Sequence, residues 1–225
     1  ESYQLKYIGD KVVFNPATAV VEVIKELERM ASLAEENLNR AMNALITLDE
    51  EDIEEVYEVE KNINFLNHAI TDYLVKINQT TLPIEDLNSL GALFHVVNDI
   101  ERIGDQASDI AEIVTYLSGA CGHNTHIDRM AQATIKMVTD SLDAFVRRDL
   151  TLAWSVIEYD DVVDRLFDEC KSDLIAEIAQ NPEDGERVLD VLMIAKYLER
   201  IGDHATNIAE WVEFSITGSH KSAMH

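Results

Sequence analysis

The sequence predicts an all-α fold of six long helices, arranged as two tandem three-helix bundles related by an internal repeat. Three observations carry this. A twelve-residue stretch occurs twice, ERIGDQASDIAE at Glu101–Glu112 and ERIGDHATNIAE at Glu199–Glu210, with nine identical positions and an offset of 98 residues. Apolar residues recur at helical spacing along almost the whole chain: Ile103, Ala107, Ile110 and Val114 are matched by Ile201, Ala205, Ile208 and Val212. No segment alternates with the period of two that marks a strand, and only 3 prolines and 8 glycines interrupt 225 residues.

Residues 1–14 carry scattered apolar side chains and read as an irregular lead-in that packs on the rest. Asn15 followed by Pro16 is a helix start, a cap residue before proline at the first helical position. Helix 1 then runs to about Leu48, with Val23, Leu27, Met30, Leu38 and Leu45 along its apolar stripe. Asp49 caps helix 2, and Glu50, Glu51 and Asp52 suit the positive end of its dipole. Val56, Ile63, Leu66, Ile70 and Leu74 carry that helix to about Gln79. The stretch Thr80–Pro83 breaks the chain and starts helix 3, which closes the first bundle (15–117) at Leu117.

Residues 118–125, with Gly119 and Gly122, are the expected linker between halves. The second bundle (126–216) holds helix 4 over about His126–Val146 and helix 5 over about Leu150–Ala179. Asn181-Pro182 is expected to open helix 6, which runs to about Ile216; residues 217–225 form a polar tail. Each half is large enough for its own core, and the short connections imply antiparallel neighbours.

The formal net charge of −25 excludes nucleic acid as a partner: it repels phosphates, and no basic patch interleaved with aromatics is present. No apolar run is long enough to insert in a membrane. Two cysteines, Cys121 and Cys170, without a C-x-x-C pattern, suggest a reducing compartment. The chain starts at Glu1 without an initiator Met, as a fragment of a longer protein would.

On helix 3, Glu101, Asp105 and Asp109 fall at i, i+4, i+8 and form one line of carboxylates that repel each other unless something neutralises them. A helical wheel puts them roughly opposite the core stripe, so a solvated acidic face is the plain reading. A cation site is the sharper one. Glu199 and Asp203 repeat the pattern, with Asn207 in place of the third acid. Each half carries a second polar pair at i, i+4, Glu60/Asn64 on helix 2 and Asp160/Asp164 on helix 5. The separations to the motif glutamates are similar, 101 − 60 = 41 and 199 − 160 = 39, so antiparallel helices can bring the pairs together. Oxygen ligands of this kind suit magnesium, manganese, calcium, iron or zinc. Gly104 and Gly202 sit mid-helix beside the acids and admit either a ligand or a closely packed helix. Arg102 and Arg200 serve ion pairs on the plain reading and phosphate on the sharper one. His123-x-x-His126 has metal-like spacing but sits in the linker and repeats nowhere; His204 stands where the first motif has Gln106. No P-loop, G-x-S-x-G or catalytic Cys–His pattern is present, so nothing speaks for catalysis.

The doubled Glu-Arg-Ile-Gly-Asp motif in a six-helix acidic chain resembles the PhoU family of phosphate-uptake regulators over about Ala17–Ile216. The family signature Glu/Asp-x-x-x-Asp is matched at Glu101/Asp105, Glu199/Asp203 and Asp160/Asp164, and Glu60/Asn64 departs by one amide. Leu5–Glu28, with Val97–Ile100, looks most like the cytoplasmic PhoU-like domain of bacterial sodium/phosphate cotransporter-related proteins. The resemblance implies divalent or trivalent metal ions, often multinuclear iron or zinc. It implies ligands drawn from Glu60, Asn64, Glu101, Asp105, Asp109, Asp160, Asp164, Glu199, Asp203 and Asn207. It implies a non-enzymatic regulatory domain that docks on a phosphate transporter's membrane domain or on a phosphate-sensing protein, in the cytoplasm at the inner face of the membrane, with a homodimer left open. The rival expectations are a metal-free helical adaptor whose acidic faces bind a basic partner and, ranked last, a metal-dependent phosphohydrolase.

Overall fold

The computed structural model describes residues 3–9, 15–80, 82, 84–117 and 125–218; Cys121, His123 and nearly all of the expected linker and tail lie outside them. The six expected helices are present: α1 (Pro16–Thr47), α2 (Glu50–Asn78), α3 (Ile84–Tyr116), α4 (Thr125–Arg147), α5 (Leu150–Gln180) and α6 (Gly185–Thr217). Among the described residues there is no strand.

The helix ends follow from local chemistry. The Asn15 side chain accepts hydrogen bonds from the Ala17 and Thr18 amides, with Pro16 opening the first turn. The α1–α2 and α4–α5 corners are built alike. Each passes through a non-glycine residue in the left-handed region, Leu48 at φ 55° and Arg148 at φ 51°. An aspartate follows at each corner and caps the next helix: Asp49 accepts from the Glu51 amide and Asp149 from the Leu152 amide. The start of α6 differs from expectation. Asn181 makes no side-chain cap, and Pro182–Asp184 instead form a 3-10 turn before the α-helix begins at Gly185. Without a capping oxygen, the tighter i→i+3 bonding, Asp184 N–H to Asn181 O, satisfies the first turn.

The expected stripes are buried: Val23, Leu27, Leu38 and Leu45 on α1, Ile63, Leu66, Ile70 and Leu74 on α2, Val163, Cys170 and Leu174 on α5. The expectation of a separate core in each half is corrected. One continuous apolar cluster runs through all six helices, because α3 packs along α6 and α1 also touches α4. On α3 and α6, rising numbers meet falling ones: His95 stacks on Trp211 with centroids 3.9 Å apart, Asp99 meets Asn207, and Asp109 feels the charge of Arg200. The central helices of the two repeats are therefore antiparallel, and Glu35 of α1 also accepts a hydrogen bond from Thr139 of α4.

Residues 3–9 of the lead-in pack as expected. The Arg29 guanidinium holds the Gln4 carbonyl at 2.9 Å and the fully buried Glu26 carboxylate at 3.1 Å, while Glu26 also accepts from the Tyr7 amide. Tyr3 contacts the ring of Phe65 on α2.

Candidate metal centres

The wheel reading of α3 is corrected first. Glu101, Asp105 and Asp109 do not lie on a solvated face; all three are half-buried. The reason is that α3 is a central helix, covered by α1, α2 and α6, so the side away from its main stripe is also partly enclosed.

In the first half, α2 brings Glu60 and Asn64 against this line. Oriented so that its nitrogen meets acceptors, the Asn64 amide donates to Glu60 Oε1 and to Glu101 Oε1, both at 3.2 Å. The amide that departs from the acidic pattern therefore bridges two carboxylates. Glu60 is pushed up to about 9, first by burial, then by the adjoining Asp105 carboxyl and the charges of Glu101 and Asp109. Burial and the Asp105 charge also raise Glu101, with His68 and Arg102 acting against them. Asp109 is raised by burial, then by Asp105 and Glu112, and Arg200 opposes the shift. Glu60 Oε2 is buried with no hydrogen-bond partner.

Gly104 explains how Glu60 fits. A Cβ there would stand 3.0 Å from Glu60 Oε2 and 3.2 and 3.3 Å from two carbons of Ile63. What this glycine admits is the neighbouring helix with its carboxylate. Gly202 is not under the same demand, since its Cβ would meet Met137 Sδ and Val163 Cγ1 at an ordinary 3.5 Å.

In the second half, α5 and α6 bring Asp160, Asp164 and Asp203 together with one carboxylate oxygen each, all mutually within 4.8 Å. Among the described residues, this is the one group of three or more such side chains that meets this spacing. Asp160 is pushed up to about 6 by burial and by the charges of Asp164 and Asp203, with Thr206 pulling the other way. Asp164 and Asp203 are raised by burial and then by Glu199. Asp160 Oδ1 is buried without a hydrogen-bond partner, the counterpart of Glu60 Oε2. Glu199 is held by Lys196 at 2.6 Å, as Glu101 is held by Asn64.

Asn207, one turn beyond Asp203, donates its amide to Asp99 Oδ1 at 3.3 Å, and His204 Nδ1 lies 3.0 Å from the same oxygen. Asp99 is only 5% exposed and was missed by sequence reasoning, because the position 98 residues later is Tyr197 and no repeat flags it. Arg102 approaches Asp105 at 3.7 Å, and Arg200 sits over the Tyr197 ring, so neither arginine is held away from its own surroundings for a phosphate. His126 pairs with Asp173, not with a second histidine among the described residues.

The donor set suits a cation. Within the two seams, Glu60 Oε2 and Asp160 Oδ1 are buried without hydrogen-bond partners, and burial and the charges of neighbouring carboxylates raise the pKa values of both groups. Glu60, Asn64, Glu101, Asp105 and Asp109 would hold metal in the first seam. Asp160, Asp164, Asp203 and Glu199 would do so in the second, with the Asn207 amide oxygen one turn beyond Asp203.

Comparison with known proteins agrees with this architecture. Residues 18–114 and 127–212 each match the PhoU domain. The chain is 34% identical over 201 residues to a phosphate-specific transport system accessory protein PhoU homolog of Clostridium acetobutylicum, covering 88% of this chain and 92% of that one. It is 35% identical over 203 residues to the homolog of the same name from Pseudomonas aeruginosa, covering 88% and 84%. The crystal structure of PhoU from Pseudomonas aeruginosa superimposes with a TM-score of 0.88 at 33% identity, over 91% of this chain and 100% of that chain. A second structure, a phosphate transport system regulatory protein from Streptococcus pneumoniae, has a TM-score of 0.85 at 23% identity over 92% and 99%, a likeness of fold. The relatives are named as accessory proteins, not as enzymes. With both repeats matched and the fold superimposed, the chain belongs to the PhoU domain family.

Proposed function

We propose that this chain is a regulatory accessory of phosphate transport whose two carboxylate seams hold metal ions and whose metal-loaded helix surfaces dock on a transporter or a phosphate sensor. The family membership and the names of the relatives support the regulatory part. The observation that carries the metal part is the meeting of one carboxylate oxygen each from half-buried Asp160 and exposed Asp164 and Asp203 within 4.8 Å of one another. Among the described residues no helix is long and apolar enough to cross a membrane. The likeness of Leu5–Glu28 to cotransporter-linked domains makes a transporter's membrane domain the favoured partner.

Bound metal would offset the repulsion between carboxylates and lower the negative charge of these faces. The chain's own residues do the rest. Burial against α3 and α6 keeps Glu60 and Asp160 poised to accept a cation or a proton. Asn64 and Lys196 fix the rotamers of Glu101 and Glu199. The test is elemental analysis of protein purified without chelator, beside the Asp105→Asn/Asp203→Asn double variant. Stoichiometric iron, zinc or manganese that falls in the variant supports the reading. Metal content that is low in both proteins, with undiminished pull-down of a basic partner, gives way to the metal-free adaptor.

A further inference from the structure

A cavity of about 240 Å³ lies away from both seams, between the halves. Ile24 of α1, Leu93 and Val96 of α3, Phe145 of α4 and Trp211 of α6 form its apolar wall. Arg148, at the α4–α5 corner, is the sole charged residue lining it among the described residues. Arg148 makes no ion pair among the described residues.

The repeat supplies an internal control. The matching corner residue of the first half is Leu48, in the same left-handed conformation. That conformation costs an ordinary residue roughly 1 kcal/mol and asks for no particular side chain, so the backbone does not dictate arginine. Leu48 lines a separate recess with Glu50 and Glu54. The same position in the fold therefore presents an apolar corner to a recess of mixed lining in one half, and a cationic corner to a mainly apolar cavity in the other.

We propose that the Arg148 cavity binds a small organic acid, with its anionic head on the guanidinium and a short apolar tail against Phe145 and Trp211. A guanidinium matches two-oxygen anions with paired N–H donors. One water needs about 10–15 Å³ of such cavity space, so the cavity has room for a tail of several carbons. Because α1 and α3 supply one side of the wall and α4 and α6 the other, the ligand bridges the two repeats. This site is independent of the carboxylate seams.

Isothermal titration of the full chain with octanoate, in chelator, tests it. Saturable binding at one per chain is expected. Arg148→Gln, an exposed position that leaves the helices intact by circular dichroism, should weaken it at least tenfold. Ala92→Phe, which fills the cavity, should abolish it, and octan-1-ol should bind at least tenfold more weakly than octanoate. Equal octanoate affinity in Arg148→Gln, unsaturable heats in the parent protein, or octan-1-ol binding as tightly would overturn the assignment. Inorganic phosphate binding as tightly as octanoate would also overturn it, since the tail would then contribute nothing.

Discussion

Replacing each mid-helix glycine by alanine separates the two repeats. In a helix interior this exchange gains about 1 kcal/mol from backbone propensity alone. At Gly202 the added methyl would sit 3.5 Å from Met137 Sδ and Val163 Cγ1, which is ordinary contact. Gly202→Ala should therefore stabilise the protein by about 1 kcal/mol. At Gly104 the methyl would lie 3.0 Å from Glu60 Oε2 and 3.2 and 3.3 Å from Ile63. Glu60 has a mobile end, but Ile63 is fully buried and has nowhere to retreat. Overpacking of this kind costs about 1–3 kcal/mol, so Gly104→Ala should range from neutral to roughly 2 kcal/mol less stable. The gap between the variants is then about 1–3 kcal/mol. Urea unfolding in chelator measures it, and a zinc titration of the same samples should show weaker uptake in Gly104→Ala alone. A Gly104→Ala protein stabilised as much as Gly202→Ala, with unchanged uptake, would refute the argument that this glycine makes room for Glu60.

Asn64→Asp removes two donated hydrogen bonds and adds a charge between Glu60 and Glu101, so without metal it should lose about 1–3 kcal/mol, while the rise in melting temperature on adding metal should grow. The pH dependence follows from Glu60: held up to about 9 in the folded state against about 4.5 unfolded, it binds a proton that the unfolded chain has released. Chelated protein should therefore lose stability as pH rises from 6 to 8.5, and the slope should flatten in Glu60→Gln; a urea midpoint that rises equally with pH in both proteins contradicts this. Asp99→Ala takes the shared acceptor from His204 and Asn207 and should cost about 1–3 kcal/mol while leaving metal uptake at Asp160 and Asp203 intact, as calorimetry of the variant would show. Arg29→Ala leaves the Glu26 carboxylate buried without its cation, at a cost of about 3 kcal/mol, and should speed tryptic cleavage at Lys6.

Periodicity was enough to place the helices because each α-helical stripe has a single answer: Leu66 and Leu174 are buried where the spacing puts them. The caps at Asn15 and Asp49 were legible for the same local reason. What a helical wheel could not supply was the number of neighbours around α3. It assumes one covered face, and α3 has several, which is why Glu101 and Asp105 are half-buried rather than solvated. Repeat logic was likewise silent about the bond from Asn207 to Asp99, which crosses between α6 and α3, and no spacing within one repeat reveals a contact between repeats. The 3-10 turn after Asn181 depended on a side chain that does not cap, a rotamer outcome invisible in the letters.

The antiparallel embrace of α3 and α6 has a thermodynamic corollary. A duplicated chain might be imagined to melt in two stages, one per copy. Here each copy's innermost rod is roofed by the other's, so neither can shed its partner without unstacking His95 from Trp211 and opening Asp99 to water. Calorimetry should record a single endotherm, and a chain cut into its two repeats should yield pieces that solubilise only when mixed.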